Sequence, residues 1–205
     1  MPWRIELEEI SKSYNRHLLF SGINIQIDPE NPLAILGGNG SGKSTLLKII
    51  SGAAVPSAGS VRFFQEGKTI SEEEKYRHIS ITAPYMELIE EFSVMEMLRF
   101  YTSLKNLKDG MRLSDLLESI WLSDSADKEV RLLSSGMKQR LKLALAIYAD
   151  APILLLDEPL SNLDERGRAW YMDEMQALGR SKVVVVCSNS VRDEYHFCKQ
   201  SLNLS

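Results

Sequence analysis

An α/β fold with a mostly parallel core sheet follows from three features of the sequence. A glycine-rich loop, Gly37–Ser44, stands between a short apolar run, Leu33–Leu36, and a helical run, Thr45–Ile50. Two continuous apolar runs, Ile153–Leu156 and Val183–Val186, have the character of parallel strands covered on both faces. Between loop and runs, Phe92 to Tyr148 carries Met95, Leu98 and Tyr101, then Leu113, Leu116, Leu117 and Ile120, at the three- and four-residue spacings of helices.

Taken in order, Trp3, Ile5 and Leu7 alternate with Arg4, Glu6 and Glu8, the period of a half-buried strand. Ile23, Ile25 and Ile27 repeat that period until Asp28-Pro29 and Asn31-Pro32 end it. Ser11–Asn15 reads as a polar connector between these strands, with Tyr14 either closing a core edge or offering a ring to a flat base. Val55–Ser60 is turn-rich, Val61–Phe64 reads as a strand before the Glu66-Gly67 turn, and His78–Thr82 is a strand stopped near Pro84. Glu87 to about Ala149 reads as a helical insertion within the α/β frame.

Composition narrows the classes. With 205 residues, 44% apolar and 25% charged, the chain suits one large globular domain. A formal net charge of −4 leaves no basic excess for general nucleic-acid binding, so no nucleic-acid partner is expected. Cys187 and Cys198 form no disulfide or metal framework and suit a reducing compartment. His17, His78 and His196 lack metal-ligand spacing. Trp3–Ile10 is too charged for the apolar core of a signal peptide. Leu143–Leu156, broken by Asp150 and Pro152, is too short to span a membrane.

The glycine loop carries the chemistry. Gly37-Gly38-Asn39-Gly40-Ser41-Gly42-Lys43-Ser44 fits G-x-x-x-x-G-K-S between strand and helix, the pattern that cradles a polyphosphate. Its glycines let the backbone curl and turn successive N–H groups inward, and the helix from Thr45 aims its N-terminal dipole at the same phosphates. Lys43 is placed for the β- and γ-phosphates and the Ser44 hydroxyl for Mg²⁺. Leu154–Leu156 then runs into Asp157-Glu158-Pro159. A buried strand ending in two carboxylates gives Asp157 for Mg²⁺ and Glu158 for the water that attacks the γ-phosphate.

Leu133-Ser134-Ser135-Gly136-Met137 begins a helix shortly before the acidic strand. Here the chain resembles the nucleotide-binding subunits of ABC transporters, whose signature is LSGGQ, with departures at the third and fifth positions. Over almost its whole length it is similar to that family, and in its compactness to the haem-exporter ATPase subunits among them. The resemblance implies a P-loop NTPase fold of the ABC type: a mostly parallel core sheet, an N-terminal antiparallel β subdomain and an inserted helical subdomain. One domain, 1–205, would comprise a nucleotide-binding α/β core with β subdomain (1–86 and 150–205) and a helical insertion (87–149) carrying the signature.

The same resemblance implies the partners. ATP and Mg²⁺ would be clamped between the phosphate loop of one subunit and Ser134, Ser135 and Gly136 of another, in a homodimer or a heterodimer with a related ATPase subunit that closes on ATP. Tyr14 matches the aromatic that stacks on adenine, and Ser161-Asn162-Leu163-Asp164 matches the loop after the catalytic glutamate, with Asp164 at its end. An integral membrane subunit would dock near the insertion, placing the chain on the cytoplasmic face of the membrane. Glu87, Glu90 and Glu91 at the start of the insertion are either a solvated face or complementary to a basic coupling helix. Two positions depart from the family. Pro84-Tyr85 stands where a glutamine is usual, and Asn189 stands where a histidine is usual. Asn189 can hydrogen-bond a γ-phosphate oxygen but cannot carry a cation or shuttle a proton. A transporter ATPase is therefore expected, with an ATP-dependent regulatory clamp of very slow hydrolysis as the alternative.

Overall fold

A computed structural model of the chain describes residues 3–15, 17–108 and 110–204. The outer bounds of the expected 1–205 domain lie outside the described residues. In chain order the strands and helices are β1 (Arg4–Tyr14), β2 (His17–Ile27), β3 (Leu33–Leu36), α1 (Lys43–Ile50), β4 (Ala58–Gln65), β5 (Lys68–Thr69), β6 (Ile79–Thr82), α2 (Val94–Leu104), α3 (Leu113–Ser119), α4 (Ser135–Tyr148), β7 (Ile153–Asp157), α5 (Glu165–Leu178), β8 (Val183–Ser188), α6 (Arg192–Tyr195) and β9 (Gln200–Asn203).

They form two sheets. An antiparallel sheet runs β2-β1-β4-β5, and a five-stranded sheet runs β6-β7-β8-β3-β9. The pairings of the second sheet are all parallel. Alternation sets the first sheet: Ile5 faces Ile27, Leu7 faces Ile25 and Ile10 faces Ile23. The register shifts between Leu7 and Ile10, where Glu9 takes a φ of 52° and donates its amide to Asn24 Oδ1 at 2.9 Å. The expected connector Ser11–Asn15 is instead mostly strand. Ser13 pairs with Leu18, Tyr14 with His17, and Asn15 turns the chain at φ 45°. This end of the hairpin is largely exposed, so no apolar alternation marked it as strand.

In the parallel sheet β7 and β8 are buried at every position, as their unbroken apolar runs require. Their side chains divide between two cores. Leu154, Leu156, Val184 and Val186 pack with Leu98, Leu145 and Tyr171 on the helical side. Ile153, Leu155, Val183 and Val185 pack with Leu46, Leu47 and Phe63 on the other, so this core reaches the antiparallel sheet. Each such side chain contributes about 1.5–3 kcal/mol on burial. β9, with its polar Gln-Ser-Leu-Asn, joins β3 at the sheet edge without any signal in the sequence.

Within the expected 87–149 insertion the first helix, α2, begins at Val94. Ser93 starts α2 with a reciprocal cap in which Ser93 accepts from the Glu96 amide and Glu96 accepts from the Ser93 amide. Among the described residues, no helix is long and apolar enough to cross a membrane.

The parallel register places the site. Leu36 pairs with Ser188, and Asp157 pairs with Cys187. The carboxyl ends of β3, β7 and β8 therefore open side by side, where loops in open α/β sheets take ligands.

Candidate functional site

At that edge, the loop after β3 curls back over its own lysine. Lys43 is only 5% exposed, and its ammonium donates to Gly37 O at 2.8 Å, Gly38 O at 2.9 Å and Asn189 Oδ1 at 2.5 Å. All three of its N–H donors are engaged. Gly37 is required by space: a Cβ there would stand 2.4 Å from Leu204 O and 2.5 Å from Ser41 Oγ. Gly42, at φ 99°, stands just before α1 and supplies no side-chain cap. The first amides of α1 are thus left to a ligand.

Asn189 ties this loop to the acidic strand end. Its Nδ2 donates to Asn39 Oδ1 at 3.0 Å and to Glu158 Oε1 at 2.5 Å. Glu158 holds a left-handed backbone, φ 46°, fixed by donation from its amide to Cys187 O at 3.0 Å. Such a conformation in a residue other than glycine costs on the order of 1–2 kcal/mol and here turns the carboxylate back over the sheet edge. A cavity of about 460 Å³ is lined by Leu19, Asn39, Gly40, Gly42, Lys43, Ser44, Thr45 and Glu158.

Asp157 is 2% exposed, and both carboxyl oxygens are buried without a direct hydrogen-bond partner. Burial above all pushes this carboxyl up from its ordinary range. The Glu158 charge adds to the shift, while Ser44, Lys43 and Lys48 pull against it. Two orphaned carboxyl oxygens beside a serine hydroxyl suit a hard divalent cation that keeps most of its water. Among the described residues no group of three or more His, Cys, Asp or Glu side chains could hold a metal ion.

Tyr85 lies beside this corner. Lys48 Nζ stands 4.1 Å from its ring centroid. Burial first, then the charges of Asp157 and Cys187, push its phenol up to about 12. An aromatic ring thus stands near Asp157, at the position where the resemblance leads one to expect a glutamine. His196 contacts Asp193 O at 3.1 Å and the Phe197 ring, so it does not stand in for a histidine at 189.

The remaining expected site residues do not line this cavity. Tyr14 is 51% exposed at the hairpin tip, with Lys12 Nζ 4.7 Å from its ring centroid. Ser134 caps α4 by accepting from the Met137 amide at 3.2 Å, with Ser135 and Gly136 in the first turn. A Cβ on Gly136 would stand 3.0 Å from Asn162 O, so the signature turn abuts the loop after Glu158. Asp164 is occupied as the cap of α5, accepting from the Gly167 amide at 2.8 Å. The acidic cluster is partly neutralised, because Glu90 Oε1 accepts from Lys138 of α4 at 2.5 Å. One member of the site escaped the sequence reading: Leu19, which lines the cavity. Asn39 is expected within the glycine loop, but its bond from Asn189 is not, because an isolated polar residue gives no sign of its partner.

A family model described as "ABC transporter" matches residues 20–161. The uncharacterized ABC transporter ATP-binding protein YxlF of Bacillus subtilis (strain 168) is 30% identical over 199 residues, covering 96% of this chain and 66% of that protein. The Nod factor export ATP-binding protein I of Cupriavidus metallidurans is 27% identical over 198 residues, covering 95% of this chain and 65% of that protein. The chain thus spans just under two thirds of the length of these relatives. In fold it superimposes on the dimeric ATP-binding cassette MJ0796 bound to ADP and Pi, with a TM-score of 0.81, 22% identity, and coverage of 98% of this chain and 94% of that one. A bacterial Atm1-family ABC exporter with ATP bound gives a TM-score of 0.81 at 20% identity, covering 100% of this chain and 38% of that one. The narrower likeness to haem-exporter subunits is not carried by these relatives. With a glycine-rich loop and an acidic strand end side by side at the edge of its parallel sheet, and a family match over most of its length, the chain belongs to the ABC transporter family.

Proposed function

We propose that this cassette binds Mg-ATP on Gly37–Thr45 and hydrolyses it to power transport through a separate membrane subunit. The observation that carries the reading is the bridge from Lys43 through Asn189 to Glu158 beside the orphaned Asp157 carboxyl. Lys43 is the cation for the β- and γ-phosphates. A phosphate oxygen that reaches it displaces one of its three acceptors, and Asn189 Oδ1 is the side-chain acceptor among them. The released Asn189 then keeps its amide on Glu158 while it can face the γ-phosphate. Glu158 accepts the proton of the attacking water. Ser44 and Asp157 would hold Mg²⁺, which when bound neutralises charge on the transferring phosphoryl group.

Ser134, Ser135 and Gly136 are not among the residues that line this cavity, which fits a grip on the nucleotide of a second subunit, whether an identical copy or a related cassette. Tyr14 and Asp164 are assigned to the adenine and to the same dimer contact. One domain with the helical insertion at 87–149 fits this scheme, as does docking of a membrane partner beside Glu87, Glu90 and Glu91 on the cytoplasmic face. The names of its relatives, one of them a Nod factor export protein, favour transport. A regulatory clamp of very slow hydrolysis draws no support from them.

The test is Mg-ATP hydrolysis by the purified chain over a range of protein concentrations, with Glu158→Gln as control. Turnover per subunit that rises with concentration and vanishes in the control is the expected result. Turnover that persists in Glu158→Gln would refute the assignment of the base.

A further inference from the structure

Glu194 lies in α6, where its neighbours Arg192 and Asp193 are exposed, yet it is only 3% exposed itself. Its backbone is fixed from two sides. The Glu194 amide donates to Val191 O at 3.0 Å, and Glu194 O accepts from the Tyr171 hydroxyl of α5 at 2.7 Å. A carboxylate enclosed in this way costs several kcal/mol unless it is partnered, so its contacts are informative.

Those contacts reach both halves of the hydrolytic machinery. Oε1 accepts from the Leu160 amide at 3.2 Å, two residues past Glu158. Oε2 is buried with no direct hydrogen bond. Burial pushes this carboxyl up, against a smaller opposite effect of Ser188, the residue before Asn189. The geometric tie to that strand end runs through Val191: Ser188 Oγ accepts from the Val191 amide at 3.1 Å and donates to Val191 O at 3.4 Å, and the same carbonyl accepts from the Glu194 amide at 3.0 Å. The charged groups facing Glu194 are Glu158 from the loop after β7 and Arg168 from α5. A cavity of about 230 Å³ is lined by Glu158, Asn162, Arg168, Asn189 and Glu194 among others.

We infer that Glu194 is a positioning residue for ATP hydrolysis, tying the loop that carries Glu158 to the strand end that carries Asn189. The inference rests on Glu158 being the base. The 2.5 Å contact of Asn189 with Glu158 joins two segments far apart in sequence, beyond the end of the ladder in which Asp157 pairs with Cys187. Glu194 adds a tether behind the reacting groups, where displacements of about 1 Å cost on the order of a hundredfold in rate. A glutamine at 194 can still accept from Leu160 and offers an N–H toward Ser188.

The experiment is single-turnover hydrolysis of Mg-ATP with protein in excess, alongside nucleotide affinity and melting temperature. Glu194→Ala is expected to slow hydrolysis about tenfold or more while ATP affinity stays within about threefold, the split expected for an interaction made in the transition state. Glu194→Gln should recover most of the rate. A wild-type rate in Glu194→Ala, or a folded Glu194→Gln as slow as Glu194→Ala, overturns the inference. Should Glu194→Ala fail to fold, Ser188→Ala decides: slowed hydrolysis with intact affinity supports the tether, and an unchanged rate overturns it. Glu158→Gln separates the two readings, since full activity there removes the base, whereas its loss beside unaffected Glu194 variants removes only the tether.

Discussion

Asn189 donates its side-chain amide to Glu158 Oε1 at 2.5 Å, across 31 residues of sequence. The same side chain accepts from Lys43, so a neutral group stands between the proposed base Glu158 and the cation proposed to meet the phosphates. Removing it frees Glu158 to swing and leaves Lys43 with backbone acceptors alone. Asn189→Ala should lower turnover about tenfold to a hundredfold, within the range for loss of one aimed hydrogen-bond donor. Asn189→Asp should fall further, because a carboxylate at 189 cannot donate to Glu158 and repels it at this distance. Turnover and ATP affinity measured together check both, and a high turnover indifferent to Asn189→Ala would refute the role.

As the proposed metal ligand, Asp157 would link metal binding to stability. Burial is the main cause that raises its carboxyl above the ordinary value of 3.8. A carboxyl raised in the folded state contributes fully below its unfolded value, and that contribution is lost as pH climbs through the folded value. Near neutral pH, without divalent metal, the ionised Asp157 therefore costs stability. Asp157→Asn should melt higher than wild type in chelator at pH of about 7, with the difference shrinking toward pH of about 4. Added Mg²⁺ and nucleotide should reverse the order, since only the wild type gains the metal. Melting curves over pH with and without Mg²⁺ decide this, and equal curves in chelator would mean that Asp157 carries no such cost.

Gly37 is fixed by its surroundings. A Cβ at this position would meet Leu204 O at 2.4 Å and Ser41 Oγ at 2.5 Å. Leu204 cannot easily retreat, because its amide donates to Leu36 O at 2.8 Å. Gly37→Ala should cost about 1–3 kcal/mol through overpacking, a fall in melting temperature of roughly 2–10 °C for a chain of this size. Gly38→Ala, where a Cβ meets nothing within 4 Å, should melt close to wild type. If both melt alike, the crowding at Gly37 is not what holds the loop.

These cases show what the sequence could carry. The phosphate loop and Asp157-Glu158 were legible because fixed spacings between strand and helix leave little freedom for other meanings. β7 and β8 were legible because a strand buried on both faces has to be apolar throughout. The hairpin end at Ser13 and Tyr14 was hidden, since an exposed strand has no alternation to display. Glu194 was hidden for the opposite reason. A carboxylate after Arg192 and Asp193 looks solvent-facing, and only the fold brings Leu160 and Tyr171 around it. The contacts of Asn189 with Asn39 and Glu158 are likewise products of strand order, which single motifs do not encode.

Tyr85 offers a test of how much the departure from the family's glutamine matters. Its ring lies 4.1 Å from Lys48 Nζ, a cation–π contact worth about 0.5–1 kcal/mol at a half-exposed site. Its phenol, pushed up to about 12, stays protonated across the neutral range, so it adds no inflection to a pH–rate profile there. Tyr85→Phe keeps the ring and should melt close to wild type. Tyr85→Gln gives up the ring and should lose about 0.5–1 kcal/mol, yet it returns an amide beside Asp157 that can both donate and accept. Its turnover should therefore rise even as its melting temperature falls. Opposite signs in the two measurements would show that Tyr85 trades rate for stability at the metal corner. A Tyr85→Gln variant both slower and less stable would mean that the ring on Lys48, rather than a missing amide, is what this site requires.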